Sequence, residues 1–436
     1  MGGVLHAALQ YLVRNDAPGH HGMPARGEVR RRLAEGLEVG EKVADEKNAA
    51  RENGLVLLGC CATHLVTDGL NNAIYPLLPL IAVDLQLSYT AVGSLRTALI
   101  ASTSALQIPA GYLAGWIPET ALLGAGMLWM SLGFAALALA GGFWQLLLLI
   151  TAAGIGGNVQ HPVATAIVSK LYEAGGRGKA VSSLNFAGDL GKVILPSVAG
   201  VVAIAFGWRG AMLALGAIGV AASAGYALAI RRLRSDPGRR EAASATKAKG
   251  WGVRRPLAFS LLTTIGIIDN STRVGVMTFL PFLMTDKGLD AARVSFLLTL
   301  VFAFGAAGKL GCGFLADRFG NVGVIVITEA VTALAILSAI PVDPLLLIPV
   351  LAALGFVGNG TSSALYSAVA EMVHVHSRAR GYGLFYTLTL GVGVLAPVLY
   401  GALADATGVT SSFVAMAAIT LLTLPMALLM ARSAEA

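Results

Sequence analysis

Eight ionisable side chains lie inside long apolar stretches of this sequence: Asp68, Arg96, Asp189, Lys192, Asp269, Arg273, Lys309 and Glu329. Four are acidic and four basic, so full pairing is possible in principle. A charged group at the centre of a bilayer costs about 2.5–3.5 kcal/mol on insertion scales, so such groups must face a partner, water or a solute. His64 stands one helical turn before Asp68, with Asn71 and Asn72 one turn after, so these polar groups share a face. A carboxylate in a partly dry cavity can carry a proton, which makes Asp68 a candidate coupling residue. The bland alternative is hydrogen bonding between helices.

Asp269 and Arg273 are spaced i, i+4 and can pair with each other. A substrate anion could break that pair, because a guanidinium grips a carboxylate or phosphate through two parallel hydrogen bonds. Asn185, Asp189 and Lys192 make a dense polar cluster. There Gly188 and Gly191 admit a second helix, and Pro196 bends their own. His161-Pro162 interrupts another stretch beside Asn158 and Gln160, where His161 could relay protons. Arg96 either attracts anions or extends its head group to a polar interface. Lys309 and Glu329 each lie ten residues from a turn near Phe319, hence at equal depth in a hairpin, and are expected to pair as gate support.

The elements that must hold these groups follow from composition. The chain has 436 residues, 56% apolar and 13% charged, with a mean hydropathy of +0.73. Soluble domains are about 25% charged, so this chain has too little polar surface for a globule in water. Twelve stretches reach the roughly 20 residues that span a bilayer. They are 54–82, 91–113, 120–140, 143–169, 179–205, 209–230, 256–284, 293–314, 322–341, 344–370, 381–404 and 411–431. The fold class expected is all-α, with twelve transmembrane helices in two six-helix, pseudo-symmetric bundles. The expected organisation is a flexible tail 1–53, bundles 54–230 and 256–432, and a basic linker 231–255. Val29, Leu33 and Leu37 offer a helical stripe as the alternative for the tail.

Charge placement orients these spans. The linker carries nine basic residues against Asp236 and Glu241, and loops on its side add Lys170, Arg177, Lys179, Arg318, Arg378 and Arg380. The opposite side has Arg209, Lys287 and Arg293. The basic side, with both termini, is expected to be cytoplasmic in an inner membrane. The basic excess therefore points to topology and not to nucleic acid.

The halves also repeat. Leu78-Pro79 with Asp84 and Leu87 matches Leu280-Pro281 with Asp286 and Leu289 at an offset of 202, as Gly111-Tyr112-Leu113-Ala114 matches Gly313-Phe314-Leu315-Ala316. Pro196 matches Pro397 at 201, and Arg177-Gly178 matches Arg380-Gly381 at 203. Two parallel six-helix repeats around a central site form one class of secondary transporter.

Gly313-Phe314-Leu315-Ala316-Asp317-Arg318-Phe319-Gly320-Asn321 resembles the signature loop of the major facilitator superfamily. The resemblance implies gating roles for Gly313, Asp317, Arg318 and Gly320. It also implies a cavity lined by the first and seventh spans, which carry Asp68 and Asp269. The first-half copy departs from the pattern, with Gly115 and Trp116 in place of Asp and Arg. His64, Asp68-Gly69, Tyr75-Pro76-Leu77-Leu78-Pro79, His161-Pro162 and Arg177-Gly178 are similar to fosmidomycin-resistance-like members, which implies efflux as an alternative to uptake.

The leading expectation is a monomeric secondary transporter of a small polar or anionic solute, coupled to protons, with no cofactor. No nucleotide-binding Gly-x4-Gly-Lys-Ser/Thr motif occurs, so ATP is not expected to drive it. Cys60, Cys61 and Cys312 lack disulfide or zinc spacing, and no metal is expected. His374 and His376 have ligand-like spacing but no supporting cluster, so catalysis is not expected. A transporter-like sensor or scaffold is the third reading.

Overall fold

The structure, a computed structural model, describes residues 26–105, 116–173, 175–231, 252–374 and 378–435. The basic linker from 232 to 251, all of residues 1–25 of the expected tail, residues 111–115 of the first-half motif and His376 lie outside them. Helices account for nearly all described residues. The first half holds α1 (Arg26–Ala73), α2 (Leu78–Asp84), α3 (Tyr89–Ala105), α4 (Glu119–Leu137), α5 (Phe143–Gly157), α6 (Gln160–Leu171) and α7 (Arg177–Arg231). The second holds α8 (Pro256–Asp286), α9 (Ala291–Ala339), α10 (Leu347–Met372), α11 (Arg378–Gly393), α12 (Ala396–Thr407), α13 (Val409–Leu421) and α14 (Thr423–Glu435). Residues up to Gly54 form a compact unit of their own, and their described part is helical.

Among the described residues, seven helical runs are long and apolar enough to cross a membrane: Glu119–Leu137, Phe143–Leu171, Arg177–Arg231, Ala291–Ala339, Pro344–Met372, Gly381–Thr407 and Val409–Ser433. Two of them, at 55 and 49 residues, far exceed one crossing. Each breaks at a glycine, Gly207 (φ 65°, ψ −178°) and Gly320 (φ 74°, ψ 157°). A side chain would strain that backbone, and glycine adopts it freely. α7 therefore holds the fifth and sixth predicted spans, and α9 the eighth and ninth. Predicted spans 54–82 and 256–284 correspond to α1 with α2 and to α8, and α3 covers the described part, 91–105, of span 91–113.

Local chemistry sets several helix ends. The Asp290 carboxylate accepts from the Arg293 backbone N–H at 2.8 Å and caps α9. Pro256 starts α8, where its missing N–H costs nothing. Large apolar side chains such as Trp144, Leu148, Phe206 and Leu334 remain exposed, as lipid-facing surfaces require.

Within residues 55–436 the two halves meet closely at the end bearing Ser88 and Gly408. A β-carbon on Gly93 would come within 2.1 Å of the Pro397 carbonyl oxygen, and one on Gly401 within 2.4 Å of that of Tyr89. Thr97 donates to the Val394 carbonyl at 2.7 Å, and the hydroxyls of Ser197 and Thr299 bond at 2.6 Å. Asp405 accepts from the Tyr89 and Thr90 N–H groups at 2.8 and 2.9 Å, capping α3 from the opposite half. The innermost polar contact between the halves joins Asp189 to Lys309.

Candidate functional site

The small faces of Gly188 and Gly191 bring α7 against α1. A β-carbon on Gly191 would sit 2.0 Å from the Leu65 carbonyl oxygen, and one on Gly188 would strike His64 and the Asp68 carboxylate at 2.8–2.9 Å. This approach places Lys192 Nζ 3.2 Å from Asp68 Oδ2 and 3.0 Å from Asp189 Oδ1. Lys309 Nζ of α9 then reaches Asp189 Oδ1 at 2.8 Å and Oδ2 at 2.9 Å. The result is a chain of alternating charge, Asp68, Lys192, Asp189 and Lys309, that passes from one half to the other.

Two imidazoles flank its first member. His64 Nε2 lies 3.5 Å from Asp68 Oδ2, and His161 Nε2 lies 3.6 Å from Oδ1. The rings meet edge to face at 5.0 Å between centroids. His64 is buried, whereas the His161 side chain is half exposed, as befits the break between α5 and α6. His64, Asp68 and His161 have the donor set of a metal site. An ammonium group already holds Asp68 Oδ2, so the cluster suits proton exchange better than a resident metal ion.

Three expectations need correction. Lys309 does not pair with Glu329: its ammonium turns to Asp189, while Glu329 is buried with Oε1 unpartnered. Equal distance from a turn fixes depth but not helical phase, and the two side chains leave α9 in different directions. Arg273 does not pair with Asp269 within 4 Å; it donates to Asn270 Oδ1 at 3.1 Å and to Asn359 Oδ1 at 3.4 Å. Arg96 does not extend its head group to a polar interface. It is buried, donates to the Asn71 carbonyl at 2.8 Å, and lies 4.2 Å over the Tyr75 ring.

The other expected residues separate. Asn72 donates to the Asp68 backbone carbonyl at 2.7 Å and so serves its own helix. Asn185 is exposed, one turn from Asp189. Asp317 and Arg318 are exposed at the end with the basic loops, where Arg318 stacks 5.6 Å over Phe319. Gly313 has open space around it, and Gly320 makes the break in α9.

Sequence reasoning missed Asn359, although glycines at 358 and 360 set it apart within an apolar span. It also missed Glu119, buried with Lys170 Nζ at 2.6 Å, and Asp84, which accepts from Trp208 Nε1 at 3.1 Å and pairs with Arg209. These hydrogen bonds hold the Asp84 carboxyl below the ordinary carboxylate range.

The Major Facilitator Superfamily profile matches residues 60–269 and 259–436. YfnC of Bacillus subtilis (strain 168), an MFS-type transporter, is 26% identical over 372 residues, covering 83% of this chain and 89% of that protein. The Fosmidomycin resistance protein of Escherichia coli (strain K12) is 28% identical over 158 residues, covering 36% of this chain and 39% of that one. Among solved structures, the inward-facing, unoccupied bacterial homolog of the human lysosomal transporter Spinster superposes with a TM-score of 0.74 at 17% identity. That alignment spans 88% of this chain and 97% of the other.

Proposed function

The chain belongs to the Major Facilitator Superfamily, and we propose that it is a proton-coupled secondary transporter of a small organic anion, working by alternating access. The chain of charges from Asp68 to Lys309 carries this reading. Asp189 Oδ1 is shared by two ammonium groups, Lys192 at 3.0 Å and Lys309 at 2.8 Å. A carboxylate, sulfonate or phosphate entering between the halves can replace Asp189 on either lysine without stranding a charge. Opposite charges released by that exchange are what couples solute to conformation, since Lys309 belongs to one half and Asp189 to the other. Asp68, between His64 and His161, supplies the adjoining proton path.

In this reading the twelve spans form bundles 54–230 and 256–432, with both termini on the cytoplasmic side of the inner membrane. The tight contacts around Gly93 and Gly401 then close the outer end. Asp317 and Arg318, exposed in the hairpin turn of α9, then lie at the inner end. Uptake of radiolabelled malate, lactate and gluconate into proteoliposomes under an imposed pH gradient tests the reading. Gradient-driven flux of at least one anion, lost in Lys192→Ala and Lys309→Ala, is expected. Flux that persists undiminished in both variants overturns the role of the lysines.

A further inference from the structure

The second half contains a cavity that the chain of charges does not use. Asp269, Thr272 and Arg273 of α8, Glu329 and Thr332 of α9, and Asn359 of α10 supply its polar lining. Apolar side chains, among them Val276 and Leu354, complete the wall. The space suits an ion or a water molecule and is too small for a metabolite. Glu329 is 1% exposed, and Asp269 and Thr332 are each 7% exposed. Glu329 Oε1 and Thr332 Oγ1 have no hydrogen-bond partner among the described residues. Arg273 Nε, at the same cavity, is likewise without one. Buried polar atoms rarely stay unpaired, so three of them at one cavity point to something they bind.

The charges decide what that is. Two carboxyl groups face one guanidinium, which leaves one negative charge in excess if both ionise. Carboxyl groups crowded in a dry site do not both stay ionised. Arg273 cannot neutralise both, because it is drawn to Asn270 and Asn359. A metal cation fits poorly: Arg273 lies in the same cavity, Asn359 Oδ1 accepts from it, and Thr272 Oγ1 is engaged with Thr420 at 2.9 Å. The charged and titratable groups facing the cavity are Asp269 and Arg273 from α8 and Glu329 from α9, while α10 contributes only the neutral Asn359. From α13, Thr420 touches the back of Thr272. Lys309, elsewhere on α9, acts on Arg273 only through space and is held by Asp189.

We propose that Asp269 and Glu329 share a single proton in this cavity, forming a proton-binding site within the second half, distinct from the chain of charges between the halves. The site's part in coupling rests on the transporter reading above; its occupancy by a proton does not. Arg273 connects the two, since it lies beside the pair, bonds α10 through Asn359, and lies within the electrostatic reach of Lys309.

Infrared difference spectroscopy on the purified full-length protein at neutral pH tests the proposal without any transport assay. Wild type minus Glu329→Gln is expected to show the loss of one protonated carboxylic acid band, and wild type minus Asp269→Asn the loss of the same band. Either substitution suffices because the proton is shared. Adding sodium chloride at constant pH is expected to leave the band unchanged. No band lost in either variant, loss in Glu329→Gln alone, or bleaching of the band by sodium each overturns the shared proton. If Glu329→Gln does not fold, Asp269→Asn alone still decides, since a retained band refutes sharing. A transporter reading that failed in proteoliposomes would leave the infrared result standing.

Discussion

Asp189 is the residue on which two lysines from different halves converge, and its loss should therefore cost more than the loss of either lysine. Hydrogen bonds to charged groups contribute about 1.5–3 kcal/mol. Asp189→Asn and Lys309→Met are each expected to lower the melting temperature, and the double variant should lose less than the sum of the two. Additive losses in that cycle would deny a direct interaction. Pairing Glu329→Leu with Lys309→Met should give additive losses, because those residues do not touch. At this scale, spacing within one helix was legible in part. The i, i+4 step from His64 to Asp68 and the i, i+3 step from Asp189 to Lys192 both close in space. The i, i+4 step from Asp269 to Arg273 does not, because Asn359 of another helix competes for the guanidinium. Partners drawn from different helices, such as Lys309 with Asp189 or Lys170 with Glu119, leave no mark in local spacing.

Helices hold these residues in place chiefly by how closely they approach. α1 and α7 touch through Gly188 and Gly191, whose significance was visible in the sequence because small residues recur beside the polar cluster. Gly191→Ala is expected to be the more damaging substitution for folding, since its β-carbon meets the backbone oxygen of Leu65 at 2.0 Å, which cannot swing aside. Overpacking of this kind costs about 1–3 kcal/mol, and a fall in melting temperature of several degrees should report it. Gly188→Ala meets the His64 ring and the Asp68 carboxylate instead. It should spare stability more and shift anion affinity, as read by titration calorimetry with the transported anion. Equal melting temperatures for Gly191→Ala and wild type would mean that the helices are less tightly apposed. Most span positions were legible from hydropathy alone, because lipid demands a continuous apolar run. The breaks at Gly207 and Gly320, not themselves read from the sequence, fall in the gaps between predicted spans 179–205 and 209–230 and between 293–314 and 322–341. The helical state of residues 26–53 was legible only as an alternative, because its apolar stripe is short.

For the molecule as a whole, the contact that closes one end is a helix cap supplied in trans. The first two N–H groups of α3 have no partner within their helix and donate to Asp405, which lies in α12 of the opposite half. The Thr90 hydroxyl adds a third bond at 2.5 Å. Separation of the halves at this end strands both N–H groups, so the cap acts as a latch. Removing a capping side chain costs about 0.5–2 kcal/mol. Asp405→Ala should therefore shift the closed-to-open ratio by about 2- to 30-fold, at roughly 1.4 kcal/mol per decade. The pH dependence follows from the carboxyl itself. Burial pushes it up, but the bonds from Thr90 and Tyr89 outweigh burial and hold it below its ordinary value of 3.8. A depressed carboxyl stabilises the latched state above that ordinary value and ceases to do so as pH falls through the lower, latched one. The latch should therefore be indifferent to pH between 5 and 8, and weaken only in acid below about pH 4. Spin labels on Val83 and Leu345, exposed at 78% and 85%, allow this to be read as a distance distribution in a background lacking Cys60, Cys61 and Cys312. Asp405→Ala at pH 7 should add a longer-distance population that wild type shows only in acid. An unchanged distribution in the variant would deny the latch, and a wild-type transition near pH 6 would assign the pH response to another group.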